Sequence, residues 1–228
     1  MRLSIVVPTL NEAAGVVAAL EALQPLRAAG HEVVVVDGGS DDGTPELAAR
    51  LADRLANAPR GRANQMNAGA RLSGGDVLLF LHADTRLPAR ADRLVLDGLA
   101  GSGRAWGRFD VRIEGQHPLL RLVAGLMNGR SRWTGIATGD QAVFVRRAAF
   151  AAVGGFPPVP LMEDVALSAA LKRVSRPLCL HERVSTSGRR WESHGVIRTI
   201  VLMWWLRLRY SFGTPPHRLA EIYRHPPR

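Results

Sequence analysis

Apolar and polar residues follow one another in blocks along the first third of the chain. Residues 3–7, 33–36 and 77–81 are short, unbroken apolar runs, the pattern of strands that are buried on both faces of a sheet. Residues 12–23 and 62–72 lie between these runs and have the length and composition of helices. This order predicts a parallel sheet with right-handed crossovers, which binds ligands at the carboxyl ends of its strands.

A further helix is predicted after the second strand. Thr44 precedes Pro45, a favoured residue at the first helical position, and Leu47, Leu51 and Leu55 recur every four residues. We therefore expect a helix that reaches Leu55 and buries these three leucines.

The second half of the chain has a less regular pattern. It predicts strands over 106–113 and 141–145, helices over 119–127, 163–174 and 196–210, and loops over 98–107 and 130–138. Neither a linker nor an internal repeat divides the sequence. We predict a single domain of the α/β class, with a mixed, mostly parallel sheet flanked by helices.

Composition narrows the choice of partners. The chain of 228 residues has a net charge of +10, and Lys172 is its only lysine. Arginine codons of a GC-rich genome, an anionic ligand such as a diphosphate, or an anionic membrane surface would each account for this charge. The arginines are scattered and not interleaved with aromatic residues, so nucleic acid is not an expected partner.

Two further features concern the cellular compartment. Cys179 is the sole cysteine, which excludes an internal disulfide and a metal site built from cysteines. No secretory signal is visible before Pro8. We expect a cytoplasmic protein, with peripheral attachment to the inner face of the membrane as an alternative.

Three polar clusters follow the predicted strands, at 9–12, 37–44 and 82–85, and should meet in one crevice. Their carboxylates are of the kind that holds Mg²⁺ or Mn²⁺ together with substrate phosphates. Asp84, with His82 two residues before it, is a candidate metal ligand, or else it caps the following turn. Asp37 is a candidate for binding a nucleobase or ribose, or else it serves local turn chemistry.

Several common motifs are missing. The sequence contains no G-x-x-x-x-G-K-[ST] loop, no G-x-G-x-x-G after the first strand and no G-x-S-x-G elbow. This removes P-loop enzymes, dinucleotide-binding enzymes and serine hydrolases from consideration.

Five segments in order, residues 6–12, 36–44, 60–70, 82–84 and 162–165, resemble the motifs of family-2 glycosyltransferases with the GT-A fold. The resemblance covers roughly residues 2–192 and points to a compact bacterial subgroup. It implies a Rossmann-like half that binds the nucleotide sugar (2–100), a half for the acceptor and catalysis (101–195), and a C-terminal helical extension (196–228).

The resemblance also assigns roles to residues. It implies that Asp37 binds the nucleobase, usually uracil, and that Asp84 binds a divalent cation. Asp164 would be the general base that takes the acceptor proton, with Glu163 as the weaker candidate. The rest of the nucleotide pocket would comprise Pro8, Thr9, Glu12 and Arg62. The family's D-x-D motif is His82-Ala83-Asp84 here, so His82 replaces the first carboxylate. Because Asp164 begins a predicted helix, we expect it to remain ionised.

Weaker candidates lie further along the chain. Asp140 would shape the acceptor side, and Trp191 would either stack on a sugar or belong to the core. Late basic residues would contact the diphosphate: Arg189, Arg190 and His194. The helix over 196–210 would pack on the core, form a homodimer or contact a membrane.

The resemblance implies an inverting transferase that moves a sugar, from a UDP-linked donor, to an acceptor hydroxyl with the help of Mn²⁺ or Mg²⁺. Two alternatives have a similar α/β layout: a nucleotidyltransferase, and a nucleotide-binding protein that has lost catalysis.

Overall fold

The computed structural model describes residues 1–224, with the backbone alone at Arg190, His194 and Arg224. The strands are β1 (Leu3–Thr9), β2 (Glu32–Asp37), β3 (Arg54–Asn57), β4 (Val77–Phe80), β5 (Thr85–Arg86), β6 (Trp106–Glu114), β7 (Phe144–Arg146) and β8 (Leu178–Ser187). The helices are α1 (Ala13–Glu21), α2 (Gln24–Ala28), α3 (Thr44–Ala48), α4 (Arg62–Leu72), α5 (Ala91–Ser102), α6 (Leu119–Thr134), α7 (Arg147–Ala152), α8 (Glu163–Leu171), α9 (Arg189–His194), α10 (Val196–Ser211) and α11 (Pro216–Arg224). A short 3-10 helix, Gly139–Gln141, precedes β7.

In this part of the chain the strands form one mixed sheet in the order β3-β2-β1-β4-β7-β6-β8-β5. The first four strands in this order are parallel, as the apolar runs predict. β7 runs antiparallel to both of its neighbours, β6 and β8 are parallel, and β5 is antiparallel to β8. The predicted α/β class, with a mixed and mostly parallel sheet, is confirmed.

Side chains of the central strands alternate between two hydrophobic cores. On one face, Ile5 and Leu79 pack with residues of α1, α5 and α6. On the other face, Val6 and Phe80 pack with residues of α4, α7 and α8. Because helices cover both faces of the sheet, nearly every side chain of these strands is buried, and the strands are continuous apolar runs in the sequence. A smaller cluster joins Met162, at the start of α8, to α10 and α11.

The prediction that the helix after β2 extends to Leu55 is wrong. α3 ends at Ala48, and Leu55 belongs to β3, where it pairs with Val35 at the edge of the sheet. Asp53 accepts a hydrogen bond from the Val33 N–H at 2.8 Å, which holds the segment after α3 against β2. Tertiary pairing thus overrides the helical spacing of the leucines.

The strand predicted from Gln141 begins instead at Phe144. Gln141 is fully buried in the 3-10 helix, and its amide donates to Asn128 Oδ1 at 3.3 Å and Ser131 Oγ at 3.0 Å. Ala142 has a φ of 44°, which interrupts the extended backbone. The two predicted loops are partly helical, because α5 reaches Ser102 and α6 reaches Thr134.

Candidate active site

Two of the three predicted polar clusters line one cavity at the carboxyl ends of the parallel strands. This outer cavity, of about 570 Å³, is lined by Pro8, Thr9 and Glu12 after β1, by His82 and Asp84 after β4, and by Arg62 at the start of α4. The third cluster, 37–44, is held directly behind the β1 end. The clusters 9–12 and 82–85 therefore meet in one cavity, as predicted, whereas the cluster 37–44 lies behind it and does not line it.

Asp37 lies behind the wall of the outer cavity and is only 1% exposed. Its carboxylate accepts hydrogen bonds from the backbone N–H groups of Gly39 and Ser40, at 2.8 and 2.7 Å, and from Thr9 Oγ1 at 3.2 Å. Burial acts to raise the pKa of Asp37, but the hydrogen bonds from Ser40, Gly39 and Thr9 outweigh it, and the pKa lies below its usual value. Asp37 is thus an ionised residue that orders its own loop.

Gln65 is a site residue to which the sequence analysis assigned no role. It is 3% exposed, and its amide nitrogen donates to the carbonyls of Thr9 at 2.7 Å and Val36 at 2.9 Å. These two carbonyls end neighbouring strands, so one side chain of α4 fixes the spacing of the loops after β1 and β2. The only available sequence signal was its place inside the run 60–70.

Loops 9–13 and 37–44 are tied together by side chains acting as caps. Asp42 accepts hydrogen bonds from the N–H groups of Ala13 and Thr44, at 2.9 and 3.0 Å, and so caps the start of α1. Thr44 Oγ1 accepts one from the N–H of Glu12 at 2.9 Å. This network fixes the position of Glu12 at the rim of the outer cavity.

Negative charge accumulates at this rim. Burial raises the pKa of Glu12, and the charges of Asp84 and Asp42 raise it further, whereas Arg189 acts to lower it. Asp84 is exposed to the cavity, on the segment between β4 and β5. Glu12 and Asp84 therefore lie close enough to repel each other, an arrangement that a bound cation would relieve.

His82 contacts the 3-10 helix across the cavity. Its Nδ1 lies 3.3 Å from Oδ1 of Asp140, and its ring lies so close to Gly139 that a Cβ there would come within 2.5 Å of Nε2. A side chain at position 139 would displace the imidazole. Asp140, predicted on the acceptor side, thus lies beside the residue that replaces the family's first carboxylate.

The two acidic residues of α8 face a second space, the inner cavity, of about 130 Å³. It shares Arg62, His82 and Asp84 with the outer cavity and also contains Glu163 and Asp164. The candidates for the metal and the general base, and those for the nucleotide other than Asp37, therefore lie around these two adjoining cavities.

Asp164 is half-buried at the start of α8. Its carboxylate accepts hydrogen bonds from the N–H groups of Gly139 at 2.9 Å and Val165 at 2.7 Å. Burial raises the pKa of Asp164 in spite of these two donors. Desolvation thus acts against the ionisation that the helix start was expected to favour.

Glu163 is 6% exposed beside Asp164. Burial and the neighbouring charge of Asp164 raise its pKa, whereas Arg62 acts to lower it. Two adjacent carboxyl groups with raised pKa values in a cavity are typical of a functional site.

The C-terminal part of the chain supplies the remaining wall of the inner cavity. Trp191 lines the cavity and also packs on the main core, so the structure fits the core alternative, and stacking on a sugar stays a prediction. Arg189 donates to Ser187 Oγ at 3.2 Å. The side chains of Arg190 and His194 lie outside the described part of the chain.

Arg207 of α10 also lines the inner cavity, although the sequence analysis assigned it no site role. Its Nε is buried and has no hydrogen-bond partner among the described residues. The spacing of Thr199, Met203 and Arg207, one helical turn apart, is the signal that would have placed them on a common face.

Several solved structures share this fold. The fold is similar to that of the mannosyltransferase PcManGT from Pyrobaculum calidifontis in complex with GDP-Man and Mn²⁺, with a TM-score of 0.68 and 22% identity over 97% of this chain and 67% of that one. It is also similar to S. aureus TarS in complex with UDP-GlcNAc, with a TM-score of 0.66 and 17% identity over 82% of this chain and 58% of that one. The sheet is that of the GT-A fold.

The chain belongs to glycosyltransferase family 2, whose model, Glycosyl transferase family 2, matches residues 4–147. A curated relative, the PGL/p-HBAD biosynthesis glycosyltransferase of Mycobacterium bovis, is 34% identical over 173 residues. That match covers 67% of this chain and 62% of the relative, so the chain spans less than two thirds of the relative's length. The family match favours a glycosyltransferase over the two alternatives left open by the sequence.

Proposed function

We propose that the protein moves a sugar from a nucleoside-diphosphate sugar, with UDP as the carrier, to a hydroxyl group of an acceptor, with inversion at the anomeric carbon. The observation that carries this proposal is the pair of adjoining cavities. The outer one contains Asp84 and the strand ends that would hold the nucleotide, and the inner one contains Asp84 together with Asp164. A donor that spans both cavities would present its sugar to Asp164.

The nucleotide would lie in the outer cavity against Pro8, Thr9 and Glu12. Arg62 lines both cavities, and its positively charged guanidinium would bind the diphosphate of the donor. Asp37 would bind the base through its carboxylate, with the base N–H replacing one of the hydroxyl donors in the loop. The complex of TarS with UDP-GlcNAc supports UDP, and that of the mannosyltransferase with GDP-Man makes GDP the alternative.

A divalent cation fits the groups at the rim. Asp84 and His82 would hold it, and it would relieve the repulsion by Asp84 that adds to burial in raising the pKa of Glu12. The described residues include no group of three or more His, Cys, Asp or Glu placed to hold an ion, so diphosphate oxygens would complete the coordination. When bound, the cation acts as a Lewis acid on the leaving diphosphate. The complex of the mannosyltransferase with GDP-Man and Mn²⁺ supports Mn²⁺, and Mg²⁺ is the alternative.

Asp164 would act as the general base, and Glu163 is the weaker candidate. The acceptor oxygen bonds to the anomeric carbon, the bond from this carbon to the diphosphate oxygen breaks, and Asp164 takes the hydroxyl proton. One displacement from the face opposite the leaving group inverts the configuration. A raised pKa makes Asp164 a stronger base than an ordinary aspartate, which suits proton removal near neutral pH.

The acceptor would enter from the side of the 3-10 helix and α10. Asp140 and Trp191 line the inner cavity there. Arg189 lies near the rim, where its positive charge acts to lower the pKa of Glu12. The proposed roles of Arg190 and His194 at the diphosphate remain sequence-based proposals. No helix in the described residues is long and apolar enough to cross a membrane.

An Asp164→Asn variant tests this proposal. Purified protein is incubated with UDP-sugars and GDP-sugars, with a cell extract as the source of acceptor, and release of the nucleoside diphosphate is measured. We expect turnover to fall by roughly 10²- to 10⁴-fold, because the general base is lost. Binding of UDP should be unchanged, since Asp164 does not line the outer cavity.

Asp97→Asn provides the matched control. Asp97 is an exposed aspartate of α5, so the same change of charge there should leave turnover intact. Full activity of Asp164→Asn would remove Asp164 as the base, and turnover lost equally in both variants would point to a nonspecific effect of charge.

A further inference from the structure

α10 has two faces with opposite surroundings. Thr199, Met203 and Arg207 line the inner cavity on one side of the helix. The exposed apolar residues of the helix, together with the residue that follows it, form a set that we call the outer face of α10: Ile197, Val201, Trp204, Trp205, Leu208 and Phe212. These positions recur at intervals of three, four or one residues, so they form one continuous stripe along the helix.

The outer face of α10 is strongly exposed. Ile197, Val201 and Trp204 are each more than 60% exposed, and Phe212 is 80% exposed. Scattered surface hydrophobic residues are normal, whereas a contiguous apolar stripe of this length marks a surface that binds something.

α6 also has exposed apolar residues. The two helices contact each other, and Leu122, Leu126 and Trp133 of α6 are exposed at helical spacing, Trp133 to 85%. Two helices in contact with each other thus each present an exposed apolar stripe.

The charges around the outer face restrict what can cover it. α6 and α10 each contain three arginines and neither contains an aspartate or glutamate. Arg121, Arg198 and Arg209 are exposed, and the guanidinium of Arg209 lies 5.5 Å from the ring centre of Trp205. Tryptophan and arginine on an amphipathic helix are the residues favoured at the boundary between lipid headgroups and acyl chains.

We propose that the outer face of α10, together with the exposed strip of α6, docks the protein on an anionic lipid bilayer. A second copy of the chain is disfavoured as the occupant, because a twofold contact would bring the same arginine-bearing helices against each other. An anionic headgroup layer complements their charge, and the net charge of +10 adds to the attraction. The helix lies in the interface and does not cross the bilayer.

Docking on a bilayer would also indicate which chemical class the acceptor belongs to. Because the opposite face of α10 lines the inner cavity, the cavity would lie within the thickness of one helix of the lipid surface. If the proposed transfer reaction is correct, the acceptor hydroxyl belongs to an amphiphile carried by that bilayer. This assignment rests on the proposed function, whereas docking itself does not.

Vesicle flotation tests the docking. Full-length protein is mixed with vesicles of phosphatidylcholine alone or with about one third phosphatidylglycerol, with no nucleotide present. We expect binding to the anionic vesicles and much weaker binding to the neutral ones. Replacing Trp204 and Phe212 by serine should weaken the binding by on the order of tenfold per residue, because each loses the burial of a large apolar side chain.

The matched control replaces Leu47 and Leu72 by serine. These leucines are also exposed, but they lie on α3 and α4, and all variants have the same charge. Equal losses in both double variants, or none in either, would reduce the interaction to nonspecific attraction of a basic protein and overturn the proposal. A dimer in analytical ultracentrifugation that Trp204→Ser dissociates, without vesicle binding, would assign the face to a second copy.

Brominated lipids provide a second readout. Quenching of tryptophan fluorescence in the bound protein, reduced in Trp204→Ser, is expected if the face enters the acyl region. Binding without quenching would contradict insertion. A thermal shift with UDP, measured on the same samples, reports on the nucleotide site separately, so failure of docking and failure of the proposed reaction remain distinguishable.

Discussion

At the scale of single residues, the site depends as much on neutral side chains as on charged ones. Gln65 bridges the carbonyls of Thr9 and Val36, and Gly139 donates its N–H to Asp164 while its lack of a Cβ leaves room for His82. Neither residue is charged, so a search for carboxylates and bases overlooks both. They fix the positions from which the acidic residues act.

Glu163→Gln should stabilise the protein at neutral pH. The raised pKa of Glu163 means that its ionised form is disfavoured in the folded state, by burial first and then by Asp164. The folded state therefore binds more protons than the unfolded state as pH rises above the ordinary value of 4.5, and stability falls in that range. Glutamine removes this penalty without changing the volume of the side chain.

The measurement is the melting temperature of both proteins between pH 4 and pH 8. The variant should melt higher at pH 7–8, and the difference should shrink as pH falls toward 4, where both forms are neutral. A variant that melts lower than the wild type at pH 7.5 would show that attraction to the charge of Arg62 outweighs burial.

At the scale of elements, α4 is fixed to the sheet by a close approach at Gly69. A Cβ there would lie 2.3 Å from Cγ1 of Val6 and 3.1 Å from Cγ2 of Val36. The helix can therefore lie directly on β1 and β2, which brings Arg62 and Gln65 to the strand ends. Gly15 of α1 differs, since a Cβ there would meet nothing within 4 Å.

These two helical glycines predict opposite effects of the same substitution. Gly69→Ala should destabilise the protein by about 1–3 kcal/mol or more, because β1 and α4 must separate. Gly15→Ala should stabilise it by about 0.5–1 kcal/mol, since alanine loses less conformational freedom in a helix. Urea unfolding of both variants measures the difference, and two changes of the same sign would contradict the packing described for α4.

Strands that are buried on both faces could be predicted from the sequence. Strands that form only because a neighbouring strand pairs with them could not. β1, β2 and β4 are apolar enough to be recognised from sequence, and α4 begins and ends where the pattern predicts. β8 was missed because its sequence, Leu178–Ser187, is mixed in character, and only pairing with β6 and β5 makes it a strand. β3 is likewise a strand because β2 provides its edge.

At the scale of the whole molecule, the sheet brings residues from distant parts of the sequence into one region. Glu12, Asp84 and Asp164 are far apart along the chain, yet their cavities adjoin. The order of the strands was sufficient to predict this meeting for Glu12 and Asp84, because parallel strands end at the same edge. For Asp164 the family resemblance was needed, since α8 follows the irregular half of the chain.

Nucleotide and metal should stabilise the molecule together. We expect UDP with Mn²⁺, at about 100 times the dissociation constant, to add about 2.7 kcal/mol to the free energy of unfolding, or about 5–10 °C in melting temperature. Removal of the metal with EDTA should abolish the part of this shift that depends on Mn²⁺. Asp84→Ala should abolish the same part, because Asp84 is the proposed ligand.

Asp97→Ala is the control for this experiment and should retain the whole shift. GDP is tested in parallel and should give the larger shift if guanosine is the true carrier. The absence of any shift with either nucleoside diphosphate would favour a protein that has lost its donor site.

The inner cavity and the outer face of α10 lie on opposite sides of the same helix. An enzyme adsorbed through that surface would meet its acceptor by lateral diffusion, so its rate would follow the mole fraction of acceptor in the lipid and not the amount per volume of buffer. Adding inert lipid at constant acceptor would then slow the reaction. A product that stayed in the same plane would compete with unreacted acceptor for access to the cavity.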